Sequence, residues 1–302
     1  MNKAFMRHVL STVDGRRVSI GEAARLAKNE LIAARSDLSA NKLQFTLLGD
    51  PALVLAAPTM QAVIDSIDGR PVSGSGGVKL AAGSTAKVRG HIVRGQGLAT
   101  DFDGLVSATV SDVVETVTCK MNDGSADQPF VFNTRSNTLY QGSDSVRGGV
   151  FTFTFAVPKD ISYSDGAGLV TVYAVNRAKT EEAHGESDGL SLIGGSTATD
   201  DGRGPNIWCY LNSSSFTNGD VVNSTPYFYA ELDDRDGINV SGSGIGHDLQ
   251  LIIDNDASLT YTLNDLFQYD FGNYQRGAVG FSIPALADGR HKLLFRACLK
   301  KY

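Results

Sequence analysis

The chain has 302 residues, of which 42% are hydrophobic and 20% are charged, a composition typical of folded globular domains. A formal net charge of -6 at pH 7 argues against a nucleic-acid partner, because phosphate binding requires a basic surface. The length is sufficient for two or three domains, each with its own core. The 33 glycines, against 8 prolines, favour many turns and therefore a β-rich protein.

Three cysteines, Cys119, Cys209 and Cys298, are widely separated in the sequence. None belongs to a Cys-x-x-Cys pair, so the spacing does not predict a zinc site. Residues 1–10 lack the apolar core of a signal peptide. No nucleotide-binding glycine loop is present, and the sequence predicts no cofactor other than the calcium ion considered below.

Residues 1–58 combine helical and strand patterns. Ser19 with Glu22 three residues later forms the capping-box pattern, which predicts the start of a helix running to residue 35. An apolar strand is predicted over residues 42–48. One or two helices and a single strand cannot cover both faces of a parallel sheet. We therefore interpret residues 1–58 as the carboxy-terminal remnant of a larger α/β domain.

Residues 61–195 have the alternating pattern of half-buried strands. Phe151, Phe153 and Phe155 fall on one face of the clearest strand, with threonines on the other face. Short strands separated by Gly, Asp and Asn turns, without helical stretches between them, predict an antiparallel β-sandwich.

Residues 203–302 repeat this pattern and predict a second, immunoglobulin-like sandwich, which is truncated in its final strands. The boundary between the two modules is placed in the glycine-rich segment 194–204. The predicted fold is therefore mainly β with an α/β remnant: a helix and a strand, followed by two antiparallel β-sandwich (Ig-like) modules.

An acidic loop is the candidate ligand site, because hard cations take oxygen ligands and the loops of a sandwich can converge to supply them. Its candidate calcium ligands are Asp233, Asp234, Asp236 and Asn239. The alternative is a solvated turn in which Asp and Asn side chains cap their own backbone. The sequence does not match the twelve-residue helix-loop-helix calcium motif.

Two further patterns have alternative interpretations. Gly246-His247-Asp248 suggests a His-Asp pair, but adjacent strand residues point to opposite faces, which favours a structural loop. A group of aromatic residues could form a peptide or glycan platform or, alternatively, fill the core between strands. Its members are Tyr227, Phe228, Tyr229, Tyr261, Phe267, Tyr269, Phe271 and Tyr274.

Several stretches together resemble gingipain-type (C25) cysteine peptidases and, within that class, the sortases of the type IX secretion system. The first is Phe45-x-Leu47-Leu48-Gly49-Asp50-Pro51-Ala52-Leu53 with Pro58 after it. The others lie at residues 101–104, 151–163, 201–207, 236–239, 242–249 and 288–293.

The resemblance implies a surface cysteine peptidase that removes carboxy-terminal secretion signals from cargo and attaches the cargo to the cell surface. Its implied partners are secreted cargo with carboxy-terminal sorting domains and an outer-membrane attachment complex. The family places its catalytic Cys and His upstream of the Gly49-Asp50-Pro51 turn, whereas residues 1–50 contain no Cys and only His8. We therefore assign no catalytic residue and expect the chain to be a fragment that is inactive alone.

Two other functions remain open from the sequence. The chain could belong to another secreted gingipain-like cysteine protease, although the segment 244–248 favours the sortase. It could also be a non-enzymatic adhesion or scaffold protein built from immunoglobulin-like modules.

Overall fold

The computed structural model describes residues 1–35, 44–55, 57–73, 77–121, 124, 128–158, 166–194, 203–241 and 248–297. The chain divides into two compact units, Met1–Pro58 and Thr59–Tyr302, which are described separately. No helix in these described ranges is long and apolar enough to cross a membrane.

In its described residues, the amino-terminal unit contains the helices α1 (Asn2–Val9) and α2 (Ile20–Ala33) and a small hairpin of β1 (Thr12–Val13) and β2 (Arg16–Arg17). Val9, Val18 and Ala23 form its buried cluster. The predicted cap is confirmed, because the Glu22 backbone N–H donates to the Ser19 hydroxyl oxygen at 3.2 Å and so satisfies a free amide of the first turn.

The strand predicted over residues 42–48 is wrong for its described part, since residues 45–48 adopt no regular structure. Residues 42–43 lie outside the described ranges. A strand needs a neighbouring strand to pair its backbone groups, and none of the strands described in this unit lies beside this segment. The chain that follows pairs with the start of α2, where the Ile20 N–H donates to the Leu53 carbonyl oxygen at 2.8 Å.

The first part of the carboxy-terminal unit contains twelve strands among its described residues. They are β3 (Met60–Ile67), β4 (Arg70–Pro71), β5 (Val78–Ala81), β6 (Thr85–Arg94), β7 (Gly97–Leu98), β8 (Gly104–Ser111), β9 (Glu115–Thr118), β10 (Val131–Thr134), β11 (Thr138–Arg147), β12 (Val150–Ala156), β13 (Ala167–Asn176) and β14 (Glu182–Ile193). Strands β9 and β10 form a separate hairpin. The other ten form one sheet.

This sheet closes on itself. The pairing order runs β3-β14-β13-β8-β11-β12-β6, and β6 pairs again with β3. We call this set of strands the closed circuit. The structure differs in two respects from the antiparallel β-sandwich predicted for residues 61–195. The ten strands form one sheet that closes on itself instead of two packed sheets, and β14 pairs in parallel with β3 and with β5. These parallel contacts join strands distant in the sequence, and one of them completes the circuit.

Alternating side chains fill the interior of the closed circuit, as the period of a strand requires. Phe151, Phe153 and Phe155 are at most 2% exposed, which confirms the face predicted for them. Tyr140 from β11 stacks on Phe153 with ring centroids 5.8 Å apart.

The remaining strands form two antiparallel sheets. They are β15 (Asn206–Leu211), β16 (Tyr227–Asp233), β17 (Gln250–Ile253), β18 (Thr260–Thr262), β19 (Gln268–Tyr269), β20 (Arg276–Ser282) and β21 (Leu293–Arg296). One sheet has the order β15-β16-β20-β19 and the other β18-β17-β21. Short 3-10 helices occupy Ala257–Leu259 and Asn264–Leu266. Side chains from both sheets belong to the same core cluster as the closed circuit.

The closed circuit and the later sheets are packed together through aromatic rings. Tyr140 of β11 lies against Tyr269 of β19 with centroids 4.9 Å apart. The Tyr269 hydroxyl donates to the Ile238 carbonyl oxygen at 2.6 Å, and the Gly272 N–H donates to the Ser143 carbonyl oxygen at 2.8 Å. The division into modules 61–195 and 203–302 stays a prediction, and residues 195–202 of the proposed linker lie outside the described ranges.

Candidate functional site

The amino-terminal unit supplies no thiol nucleophile of the kind a cysteine peptidase uses, because its sequence contains no cysteine. Its histidine, His8, places Nε2 2.9 Å from Glu30 Oε2, and Arg7 pairs with the same carboxylate. Since Glu30 is on α2 and the other two are on α1, this cluster joins the helices. These contacts explain the position of His8 without a catalytic role.

Cys119 and Cys209 are free and exposed, and both lie in the β-rich unit. Desolvation raises the pKa of the Cys209 thiol, although the residue as a whole is exposed. An activated cysteine needs the opposite shift, because the thiolate is the reactive form. Cys298 lies outside the described residues.

The acidic loop after β16 is organised by hydrogen bonds within the loop. The Asp236 N–H donates to Asp234 Oδ1 at 2.8 Å, and the Gly237 N–H donates to the Asp234 carbonyl oxygen at 3.0 Å. This is the geometry of a turn closed by an Asp side chain. Asp233 is the last residue of β16 and is exposed.

Asn239, the fourth predicted calcium ligand, is 4% exposed. Its Oδ1 accepts bonds from the Ser241 N–H at 3.0 Å and from the Ser241 hydroxyl at 2.8 Å. Across the described ranges, no three or more His, Cys, Asp or Glu residues are grouped so that they could hold a metal. The calcium site with Asp233, Asp234, Asp236 and Asn239 stays a prediction.

A His-Asp pair does occur elsewhere, between Asp254, which directly follows β17, and His291, which shortly precedes the neighbouring strand β21. His291 Nδ1 lies 2.7 Å from Asp254 Oδ2, and the Lys292 N–H donates to Asp254 Oδ1 at 2.7 Å. These bonds lower the pKa of Asp254, whereas the Asp254 carboxylate raises the pKa of His291. Both groups are at the surface, and the bonds fix the loop. For the motif considered earlier, Gly246 and His247 lie outside the described residues.

The aromatic group considered as a platform or as core filling is split by strand alternation. Phe228, Phe267 and Tyr269 are at most 7% exposed and fill the core. Tyr227 is 46% exposed and lies over Gly280, where a Cβ atom would come within 1.9 Å of the tyrosine oxygen. The sequence interpretation that these residues pack between strands is therefore correct for part of the set only.

An exposed aromatic row lies on the outer face of the four-stranded sheet. Trp208 contacts Tyr210, and Tyr210 contacts Tyr229 on β16, each pair with ring centroids 5.0 Å apart. Sequence reasoning omitted Trp208 and Tyr210. Their spacing of two residues, which matches that of Tyr227 and Tyr229, is the signal that would have placed them on one face. Such rings present a large apolar area with a polar edge, as protein-binding surfaces do.

Comparison with known proteins identifies the amino-terminal unit. Residues 1–56 match the family model described as Peptidase family C25. The amino-terminal unit is therefore similar to peptidase family C25 over nearly its whole length. The gingipain-type resemblance drawn from the residues before and after Gly49-Asp50-Pro51 is therefore confirmed.

The whole chain is similar to PorU from Porphyromonas gingivalis, which was solved as a dimeric, latent form. The two sequences are 33% identical over 96% of this chain, with a TM-score of 0.49. The chain spans 27% of the length of that protein. The sequence identity, and not the TM-score, supports the relationship.

Another solved structure, the sporulation control protein Spo0M from Bacillus subtilis, matches with 12% identity and a TM-score of 0.28. That match covers 76% of this chain and 91% of Spo0M, and it supports no conclusion at this similarity. None of the curated proteins matches the chain.

Proposed function

We propose that this chain forms part of a PorU-type sortase of the type IX secretion system. In this role the complete protein is a surface cysteine peptidase that removes carboxy-terminal secretion signals from cargo and attaches the cargo to the cell surface. The observation that carries the proposal is the 33% identity to PorU over 96% of the chain. The C25 match at residues 1–56 agrees with it.

Within this proposal the chain supplies structure and recognition instead of the catalytic pair. The amino-terminal unit contains no cysteine, and His8 is bound to Glu30. The β-rich unit supports the peptidase domain and engages cargo or the outer-membrane attachment complex at the cell surface. Purified alone, the chain should not cleave cargo.

A chimera tests the proposed function. The matching segment of PorU is replaced by this chain in cells that lack their own PorU, and the cargo is examined for loss of its carboxy-terminal signal and for surface attachment. We expect both activities to be restored, at least in part. A chimera that reaches the surface in folded form and processes no cargo would contradict the proposal.

The alternatives give different outcomes in the same cells. A gingipain-like protease segment would support general proteolysis without removal of sorting signals. A non-enzymatic adhesion protein would support neither activity, and only attachment to other surfaces would change. For the purified chain, an active-site-directed cysteine reagent tests whether a catalytic site is present. Covalent labelling that is prevented by a cargo peptide would refute the absence of such a site.

A further inference from the structure

Strand β15 is the longest strand with a single neighbour in the described part of the chain. It has six residues and pairs only with β16, at one end of the four-stranded sheet. The other single-neighbour strands in the described ranges have two to four residues each. Short edge strands protect a sheet from further pairing, and β15 does not have this protection.

Charge, proline and a bulge, three other usual protections of an edge, are also missing from β15. Its residues, Asn206 to Leu211, carry no charge and include no proline. The register with β16 runs through six consecutive pairs without a bulge. A long, regular, uncharged edge strand is a template for an additional strand, because its outer N–H and C=O groups have no strand beside them among the strands that the structure describes.

Both faces of β15 are accessible as well as its edge. Trp208 is 49% exposed on the outer face, and Ile207 is 40% exposed on the face directed towards the second sheet. Cys209, on the same face as Ile207, is also exposed. The second sheet therefore does not cover this strand, and a strand added beside β15 would contact apolar side chains on both of its faces.

We propose that β15 binds an extended peptide segment by strand addition, and that the bound segment is uncharged with apolar side chains at alternate positions. Only an extended backbone can pair with the edge groups of β15 and contact both of its faces at once. Six residues span about 20 Å, enough for several backbone hydrogen bonds on one edge.

The surrounding charges favour an uncharged centre in the bound segment. Glu231 lies opposite Trp208 in the ladder, but its carboxylate is paired with Arg276 at 3.0 Å. The aromatic row therefore presents apolar and phenolic groups, and in the part of the chain that the structure describes the charged side chain opposite Trp208 is neutralised by Arg276. This proposal goes beyond the sortase assignment and does not depend on it.

The chain provides its own reporter, since Trp208 is its one tryptophan. The probe is the acetylated and amidated hexapeptide Thr-Val-Thr-Val-Thr-Val. In the control peptide, two adjacent central residues are N-methylated, so that neither of its edges can form a continuous ladder. Trp208 fluorescence is measured while each peptide is titrated into the full chain.

We expect a saturable blue shift with the probe and at least a tenfold weaker response to the N-methylated peptide. The probe should also slow alkylation of Cys209 while leaving alkylation of Cys119 unchanged, because both cysteines are exposed but only Cys209 lies on β15. Cys298→Ser simplifies this measurement. No shift and no protection up to about 1 mM peptide, the weak limit of specific binding, would overturn the proposal.

A matched pair of variants places the site on the strand. Ile207→Lys adds a charge to β15 and should reduce peptide affinity at least tenfold, whereas Val221→Lys adds the same charge at a loop position that is 99% exposed and should not. Equal binding by both variants would overturn the location. The remaining alternative is that β15 pairs with a second copy of the chain, which sedimentation of the chain without peptide would detect as a dimer. A dimer formed through β15 would assign the edge to self-association and overturn the proposal.

Discussion

The strands between residues 60 and 193 and those between residues 206 and 296 both bury alternating apolar side chains, but their sheets end differently. In the closed circuit, pairing returns from β6 to β3, so its member strands have neighbours on both sides. Among the described strands of the later sheets, β15 has a neighbour on one side only. Closure uses the backbone hydrogen-bonding groups within the fold, whereas an open edge leaves them for a partner.

The largest difference should appear between buried and exposed phenylalanines. Phe153→Ala removes a ring that is 2% exposed and stacked on Tyr140 in the closed circuit, and we expect the free energy of unfolding to fall by about 3–5 kcal/mol. Phe130→Ala is the control, because Phe130 is 70% exposed beside the β9–β10 hairpin and should change stability by less than about 0.5 kcal/mol. Urea denaturation measures both, and similar losses would show that the circuit does not hold the main core.

Closure of the circuit depends on Gly185 in β14. A Cβ at this position would lie 1.7 Å from the Ala62 carbonyl oxygen, where β14 approaches β3. Gly185→Ala should therefore push these strands apart and destabilise the protein by about 1–3 kcal/mol. In Gly97→Ala, a Cβ would meet nothing within 4 Å, so that variant should retain its denaturation midpoint. A tolerated Gly185→Ala would mean that the β3–β14 contact is dispensable.

The junction between the two parts depends on Tyr269. Tyr269→Phe keeps the ring against Tyr140 but removes the hydroxyl that donates to Ile238, leaving a buried carbonyl oxygen without this donor. We expect the free energy of unfolding to fall by about 1–2 kcal/mol. Because both parts share one core, we also expect a single unfolding transition. Site-specific probes on β11 and β20 report the unfolding of each part. Separate transitions at the two probes would indicate that the two parts unfold independently.

A smaller effect depends on pH. His291 has a raised pKa, so its stabilising contribution is complete below the ordinary value of 6.5 and is lost as the pH rises through the folded-state pKa. Asp254 has a lowered pKa, so its contribution is present above 3.8 and is lost as the pH falls through its folded-state value. Their bond should be strongest between these two limits. Nuclear magnetic resonance titration should give a lower His291 pKa in Asp254→Asn, and an unchanged value would contradict the pairing.

The calcium proposal predicts the smallest effect. Binding at Asp233, Asp234, Asp236 and Asn239 would raise the Tm in about 1 mM calcium, the range of weak extracellular sites, relative to chelator. Asp236→Asn should abolish this rise. An unchanged Tm of the unsubstituted chain in calcium would contradict the proposed calcium site.

Local sequence patterns predicted the local structure well. Ser19 and Glu22 identified the start of α2 because capping involves neighbouring residues, and the Phe-Thr alternation identified a strand because its period is local. The strand at residues 42–48 was wrong in its described part, since an apolar run becomes a strand only where a partner strand lies beside it. A single sequence does not contain that information.

The closure of the first sheet and the open edge of β15 could not be predicted from local sequence patterns. The contact that completes the circuit joins Met60 to Ala183 in parallel, and pairing between positions so distant leaves no local pattern. Trp208 and Tyr210 have the spacing of an exposed face, but whether a second sheet covers Ile207 and Cys209 depends on the three-dimensional arrangement. The acidic loop shows the same limit, because clustered Asp residues fit both a turn and a metal site.

Native-state hydrogen exchange compares the closed circuit and the open edge most directly. Amides of β13, which has neighbours on both sides, should exchange only through global unfolding. Amides of β15 should exchange through local opening at a lower free energy, and the edge-binding peptide should slow them without affecting β13. Equal protection of β15 and β13 in the absence of peptide would contradict the distinction between a closed circuit and an open, binding-competent edge.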